Sequence, residues 1–243
     1  METGEIPTER LANLRDIGGM ATTSGQLIRA GVLYRSDMPR VDDERPDVSF
    51  TWPPPTVVDL RASMERGDAP HPLSLLGSEI HVKPLIGEGG NTVSESVTAE
   101  VRAGGLRMLY PVILDVAAPS LVEILDLAAE APGPLLVHCA AGKDRTGIVV
   151  ALLLRLAGVV PEAVVADYMA TGPNMPGIVR RLRGQALLPG ARTGERRASE
   201  VSADAVGAVL EIIDGHPAGV EGWLLDRGAS PDSIRHWRKR IVD

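Results

Sequence analysis

An α/β fold is predicted, and three observations carry the prediction. Short β-type runs alternate with longer helical runs through the first two thirds of the chain, as in layered α/β architectures. Residues 135–138, Leu-Leu-Val-His, form an almost continuously apolar run behind Pro134, the pattern of a strand buried on both faces. Residues 146–156 are then apolar almost all round, which marks a buried helix.

The other elements follow in order. Strands are expected at 27–29, 32–35, 56–60 and 80–83, with the Pro53-Pro54-Pro55 run and residues 87–91 as loops. Ser120 followed by Glu123 reads as a capping box opening a helix that runs to Glu130, where Pro132-Gly133-Pro134 stops it. Pro161 opens a further helix to about Ala170. Three short helices are expected at 203–213, 220–226 and 231–241, with Gly228 as a C-cap and Ser230-Pro231 as an N-cap and first helical residue. One domain spanning 1–243 is expected, with a basic helical lid or flap at about 161–200.

Composition narrows the function. At 44% hydrophobic and 23% charged residues the chain can bury a core, so disorder is excluded. The 32 acidic against 25 basic residues give a net charge of −7, which argues against nucleic acid as a partner; any anion must be held by a local positive site. The single cysteine, Cys139, permits neither an intramolecular disulfide nor a cysteine-based zinc cluster. No apolar run is long enough to span a bilayer, and the first residues lack the basic and apolar regions of a signal peptide. The expectation is a soluble cytoplasmic protein with no integral membrane association, export without a signal being the alternative.

The chemistry lies in His138-Cys139-Ala140-Ala141-Gly142-Lys143-Asp144-Arg145-Thr146-Gly147. A buried strand delivers Cys139 to its C-terminal end, where open α/β sheets place their ligands, and a helix starts just beyond. The small residues Ala140, Ala141 and Gly142 let successive backbone N–H groups curl round one anion, and a helix N-terminus completes a phosphate site. Arg145 adds a two-pronged donor. A free thiol titrates near pH 8.5, so reactivity requires a stabilised thiolate; loop amides, Arg145 and a Thr146 hydroxyl donating to sulfur are the expected sources. Such a thiolate can attack phosphorus in line and form a phosphocysteine that water then hydrolyses, with no metal or other cofactor. A lone cysteine is most often a small buried hydrophobe, but Gly-Lys-Asp-Arg-Thr directly after it would be costly in a core without an anion to bind.

The pattern His-Cys-x5-Arg-Thr-Gly resembles the signature of cysteine-dependent protein tyrosine and dual-specificity phosphatases, and its fuller form resembles that of a bacterial tyrosine-specific subfamily. Residues 13–19 (Asn-Leu-Arg-Asp-Ile-Gly-Gly), 33–36 (Leu-Tyr-Arg-Ser), 57–61 with Glu65-Arg66, 164–168 and 220–222 agree with it, so the resemblance covers nearly the whole chain. It implies a central four- or five-stranded sheet flanked by helices, a helical lid, and phosphotyrosine hydrolysis with Cys139 as nucleophile and Arg145 as phosphate ligand. Serine and threonine phosphoesters or phosphoinositides are further candidate substrates. Many relatives take their general acid from a Trp-Pro-Asp loop, whereas Trp52-Pro53-Pro54 has no carboxylate. The subfamily places an Asp inside the catalytic loop, which matches Asp144.

A phenolate leaving group needs a proton from a carboxyl within hydrogen-bond reach, and Asp144 is tied to the loop by sequence, with Asp115 second. Asp16 and Asp59 read as turn or ion-pair residues. Arg15, Arg35 and Arg61 are candidates for support behind the site. Lys143 either adds a point charge beyond the reacting phosphate or raises the general electropositivity of the loop. Between Gly172 and Glu200 six arginines face two glutamates, read either as a solvated surface or as a basic flap. The competing reading of the chain is a catalytically silent phosphate-binding module. Rhodanese-type loops close one residue earlier, and arsenate reductases need resolving thiols.

Overall fold

A computed structural model describes residues 10–87, 105–183 and 200–242. Five strands form one mixed sheet: β1 (Arg15–Asp16), β2 (Leu33–Ser36), β3 (Thr56–Asp59), β4 (Glu79–Val82) and β5 (Leu135–His138), in the order β1-β2-β5-β3-β4. Only β1 is antiparallel to its neighbour. β5 is central and buried on both faces: Leu135 and Val137 enter the larger core, while Leu136 joins Tyr34, Trp52, Val57 and Leu73 on the other side. That two-sided burial is why its run is apolar without alternation. The register places both Ser36 of β2 and Asp59 of β3 opposite His138, so three parallel strands end at one level.

The helices are α1 (Ser63–Arg66), α2 (Leu106–Val116), α3 (Ala118–Glu130), α4 (Asp144–Leu156), α5 (Pro161–Met169), α6 (Met175–Arg183), α7 (Ala203–Asp214), α8 (Gly219–Leu225) and α9 (Pro231–Ile241), with 3₁₀ turns at Pro72–Leu76 and Gly172–Asn174. α4 runs through the large core with Ile148 to Leu154 all buried, and α7, α8 and α9 close over it. Trp237 of α9 donates its indole N–H to the Leu153 carbonyl at 2.9 Å, satisfying the one polar atom it buries. Among the described residues no helix is long and apolar enough to cross a membrane.

Several expectations are corrected. Residues 27–29 form no strand: Leu27 and Ile28 make single bridges, to Ala21 and Val242. Neither partner continues alongside, because Ala21 approaches the Thr22–Gly25 turn and Val242 ends α9. The capping box at Ser120 is absent, because α3 already begins at Ala118 with Pro119 in its first turn. Ser120 instead donates to the Pro84 carbonyl at 3.4 Å, and Glu123 pairs with Lys83 at 2.5 Å. α2 was not expected, since Pro111 interrupts its pattern, and it places Asp115 on an exposed face. Of the loop expected at 87–91, only Gly87 is described. Arg192, Arg196 and Arg197 also lie outside the described residues.

Candidate active site

The loop between β5 and α4 rests on the end of β2. Gly142 has φ +64°, and a Cβ there would lie 2.1 Å from the Ser36 carbonyl oxygen, so only glycine fits. The loop's carbonyls are held from outside: Met38 N–H donates to Ala140 O at 3.1 Å, and the Gly142 carbonyl accepts from Asn13 Nδ2 at 2.9 Å and Arg35 Nη2 at 2.8 Å. By contrast, the N–H groups of Ala140, Ala141, Gly142, Asp144 and Arg145 find no acceptor among the described residues. Donors left free around the start of a 13-residue helix make a nest for an anion. Cys139 lies at the head of this loop, 2% exposed.

Arg145 is held so that one donor edge stays free. Its Nη1 donates to Leu60 O at 3.3 Å and to Glu65 Oε2 at 2.5 Å, and its Nη2 donates to Glu65 Oε1 at 2.6 Å. A guanidinium has five N–H groups, so these contacts leave Nε–H and one Nη2–H, which share an edge and match two oxygens of a phosphate. Burial opposes the charge of Arg145, but its hydrogen bonds to Glu65 and its electrostatic interactions with Cys139, Glu65 and Asp144 outweigh it and hold the guanidinium above its ordinary range. In sequence Glu65 is only part of the 57–66 segment; its role as the arm that aims Arg145 emerges from the fold.

Beneath the loop, Arg35 is fully buried and joins Gly142 to Asp167 of α5 through Nη1 at 2.5 Å. Arg15 reaches the same carboxylate through Nε at 2.8 Å and the Asp167 carbonyl through Nη2 at 2.8 Å. Burial works against the Asp167 charge, yet the two arginines hold its carboxyl below the usual range. Asn13, Arg15, Arg35 and Asp167 therefore form a clamp linking the sheet edge, the loop after β5 and α5. Asp16 has a local role, accepting from the N–H groups of Gly18 and Gly31 at 2.9 and 2.6 Å.

Asp144 Oδ1 accepts a hydrogen bond from Tyr110 of α2, whose hydroxyl lies 2.6 Å from that of Tyr168 of α5. Lys143 points inward, 1% exposed, donating to the Glu200 carbonyl at 2.6 Å with its ammonium 3.5 Å from Asp144 Oδ1. Thr146 Oγ1 is buried and bonds no described group, so the expected donation to sulfur is not formed. The carbonyl four residues back, to which a helical threonine commonly bonds, is Gly142 O, already taken by Asn13 and Arg35. Gly147 is required by contact: a Cβ there would meet the Tyr168 ring at 2.9 Å.

Arg181 departs from both readings of the arginine-rich segment. It is 2% exposed and pairs with Asp43 at 2.6 Å and Asp37 at 2.6 Å, so it fastens α6 to the body and offers no free charge.

One cluster could take a metal by distance alone: Asp59, His71 and His138 bring ligand atoms within 4.8 Å of one another. Its hydrogen bonds favour another state. His71 Nδ1 accepts from Leu73 N–H at 3.2 Å, which leaves the proton on Nε2 to bridge the 2.9 Å to His138 Nε2. Asp59 is gripped by Arg61 through Oδ1 at 2.9 Å and Oδ2 at 2.7 Å. Burial, His138 and Arg61 push His71 down to about 3, while burial, against the opposing Asp59 charge, lowers His138. The histidine pair is thus a neutral strut, and His138 Nδ1 lies 3.3 Å from the Cys139 carbonyl.

A free-edged arginine, an amide nest and a cysteine on one strand-to-helix loop agree with the comparisons. The family model described as "Tyrosine phosphatase family" matches residues 6–243. The chain belongs to the tyrosine phosphatase family. It is 28% identical over 270 residues to the triple specificity protein phosphatase PtpB of Mycobacterium tuberculosis, covering 93% of this chain and 95% of that protein. It is 27% identical over 246 residues to a tyrosine-protein phosphatase of Nostoc commune, covering 97% of this chain and 75% of the other. Among solved structures it is similar to Pseudomonas aeruginosa TpbA at 22% identity and a TM-score of 0.35, over 69% of this chain and 86% of TpbA. This phosphatase is accordingly a protein-tyrosine-phosphatase acting on a phosphorylated substrate.

Proposed function

We propose that this phosphatase hydrolyses phosphotyrosine through a phosphocysteine intermediate on Cys139. The Cys139 thiolate attacks phosphorus, the bond from phosphorus to the phenolic oxygen breaks, and Asp144 gives its proton to that oxygen. In the second step the Asp144 carboxylate takes a proton from water as the water attacks phosphorus. The sulfur–phosphorus bond breaks, releasing inorganic phosphate and the thiolate. Ala140, Ala141, Gly142, Lys143, Thr146 and Gly147 shape the loop, with its main-chain N–H groups and the Nε/Nη2 edge of Arg145 holding the phosphoryl oxygens. The charge spread over those oxygens in the transition state meets donors already in position.

The observation that carries this reading is the free edge of Arg145 beside amides that have no acceptor among the described residues. A silent phosphate-binding module would share both features, so turnover decides between them. Phosphate release should be measured on phosphotyrosine, phosphoserine and phosphothreonine peptides and on phosphoinositides, with the wild type and Cys139→Ser. Phosphotyrosine turnover that Cys139→Ser abolishes, together with a phosphorylated Cys139 peptide found by mass spectrometry after acid quench, is expected. Binding without turnover in the wild type would establish the silent module, and substantial turnover by Cys139→Ser would remove Cys139 from the mechanism. Activity on the other esters would extend the substrate range beyond phosphotyrosine.

A further inference from the structure

We propose that Tyr110 and Tyr168 are positioning residues that orient the Asp144 carboxyl, holding Oδ1 so that the transferable proton sits on Oδ2. The inference rests on Asp144 being the general acid. Tyr110 is 0% and Tyr168 1% exposed, so both hydroxyls are cut off from water and must find partners in the protein. Counting protons settles their order. Tyr110 has a single hydroxyl proton, and a carboxylate can only accept, so Tyr110 donates to Asp144 Oδ1 and Tyr168 donates to Tyr110. When Asp144 is protonated the same bond persists only if Oδ1 stays the carbonyl-type acceptor, which leaves the proton to Oδ2. No described residue hydrogen-bonds Oδ2.

The relay is built into the scaffold. Tyr168 packs its ring on Gly147, one turn into α4, and follows Asp167, whose carboxylate is held by Arg15 and Arg35. α5 therefore supports the catalytic loop through Asp167 and its acid through Tyr168. The charged groups around the relay are Lys143, Arg145, Arg35 and Glu200. Burial first, and then the Asp144 charge, push both phenols up, so both stay protonated donors through the neutral range.

Tyr110→Phe removes one hydroxyl and keeps the packing, and its effect depends on how badly the leaving group needs a proton. The kcat/KM for a phosphotyrosine peptide should fall about 10- to 100-fold, the worth of one hydrogen bond to a charged group. An aryl phosphate with a nitrophenol leaving group should lose no more than about threefold. The alkaline limb of the phosphotyrosine pH profile should move to higher pH, because the ionised carboxylate has lost a donor. Tyr168→Phe should act in the same direction more weakly, and carries the test if Tyr110→Phe does not fold. Asp144→Asn is the control beneath both. If Asp144→Asn discriminates between the two substrates while neither tyrosine variant does, this inference is overturned alone. If Asp144→Asn lowers both substrates equally, the assignment of the acid falls with it.

Discussion

Replacing Glu65 by glutamine keeps the shape of the arm that aims Arg145 and removes its charge. Glu65 accepts from Arg145 Nη1 at 2.5 Å, from Nη2 at 2.6 Å and from Ala62 N–H at 3.0 Å. Glutamine has one carbonyl oxygen for these donors and turns an NH₂ group towards one guanidinium N–H. A charged hydrogen bond of about 1.5 to 3 kcal/mol is lost, and the other keeps its charged donor but loses its charged acceptor. Part of that loss falls on the free enzyme's stability, leaving about 2 kcal/mol in phosphate recognition, or about 30-fold in kcat/KM. The phosphoryl group is common to all substrates, so Glu65→Gln should lower phosphotyrosine peptide and nitrophenyl phosphate by the same factor. It should also weaken inorganic phosphate binding, read by calorimetry in the Cys139→Ser background. Kinetics within about twofold of wild type would refute the view that Glu65 sets the guanidinium edge, and so would a loss confined to phosphotyrosine.

Two further outcomes follow from the geometry. Gly147→Ala drives a methyl group against the Tyr168 ring at 2.9 Å, an overpacking worth about 1 to 3 kcal/mol, and should lower the thermal midpoint by about 2 to 12 °C by differential scanning fluorimetry; an unchanged midpoint would contradict that contact. His71 is held down to about 3, so between that value and its ordinary value of 6.5 the unfolded chain binds the extra proton. Stability is therefore full above pH 6.5 and falls with pH through that window, by up to about 1.4 kcal/mol per unit. Urea titrations should show the slope flatten in His71→Asn, and an unaltered slope would mean that the fold does not hold His71 neutral.

The candidate catalytic stretch was legible because its geometry is local. Strand, loop and helix start follow one another within residues 135–147, and backbone physics alone makes that sequence present amides and Arg145 to one point at the end of a parallel strand. The apolar run of β5 and the all-round apolar α4 were readable for the same reason, since burial on every side erases periodicity within the element itself. β1 was not, because two residues are too short to show alternation, and α2 was hidden by Pro111. The partners of charged and polar groups were set only by the tertiary structure. Nothing near Arg145 in sequence points to Glu65, nor does anything near Asp144 point to Tyr110, and Asp167 meets Arg35 from 132 positions away. Arg181 counts as free positive charge in composition and is neutralised in space by Asp37 and Asp43. The amino-acid order by itself determined which atoms meet at the candidate site, because the strand-to-helix turn is made by neighbouring peptide units. Only the fold decided how those atoms are aimed, because an ion pair or a hydroxyl relay depends on which distant side chains the packed helices bring within about 3 Å.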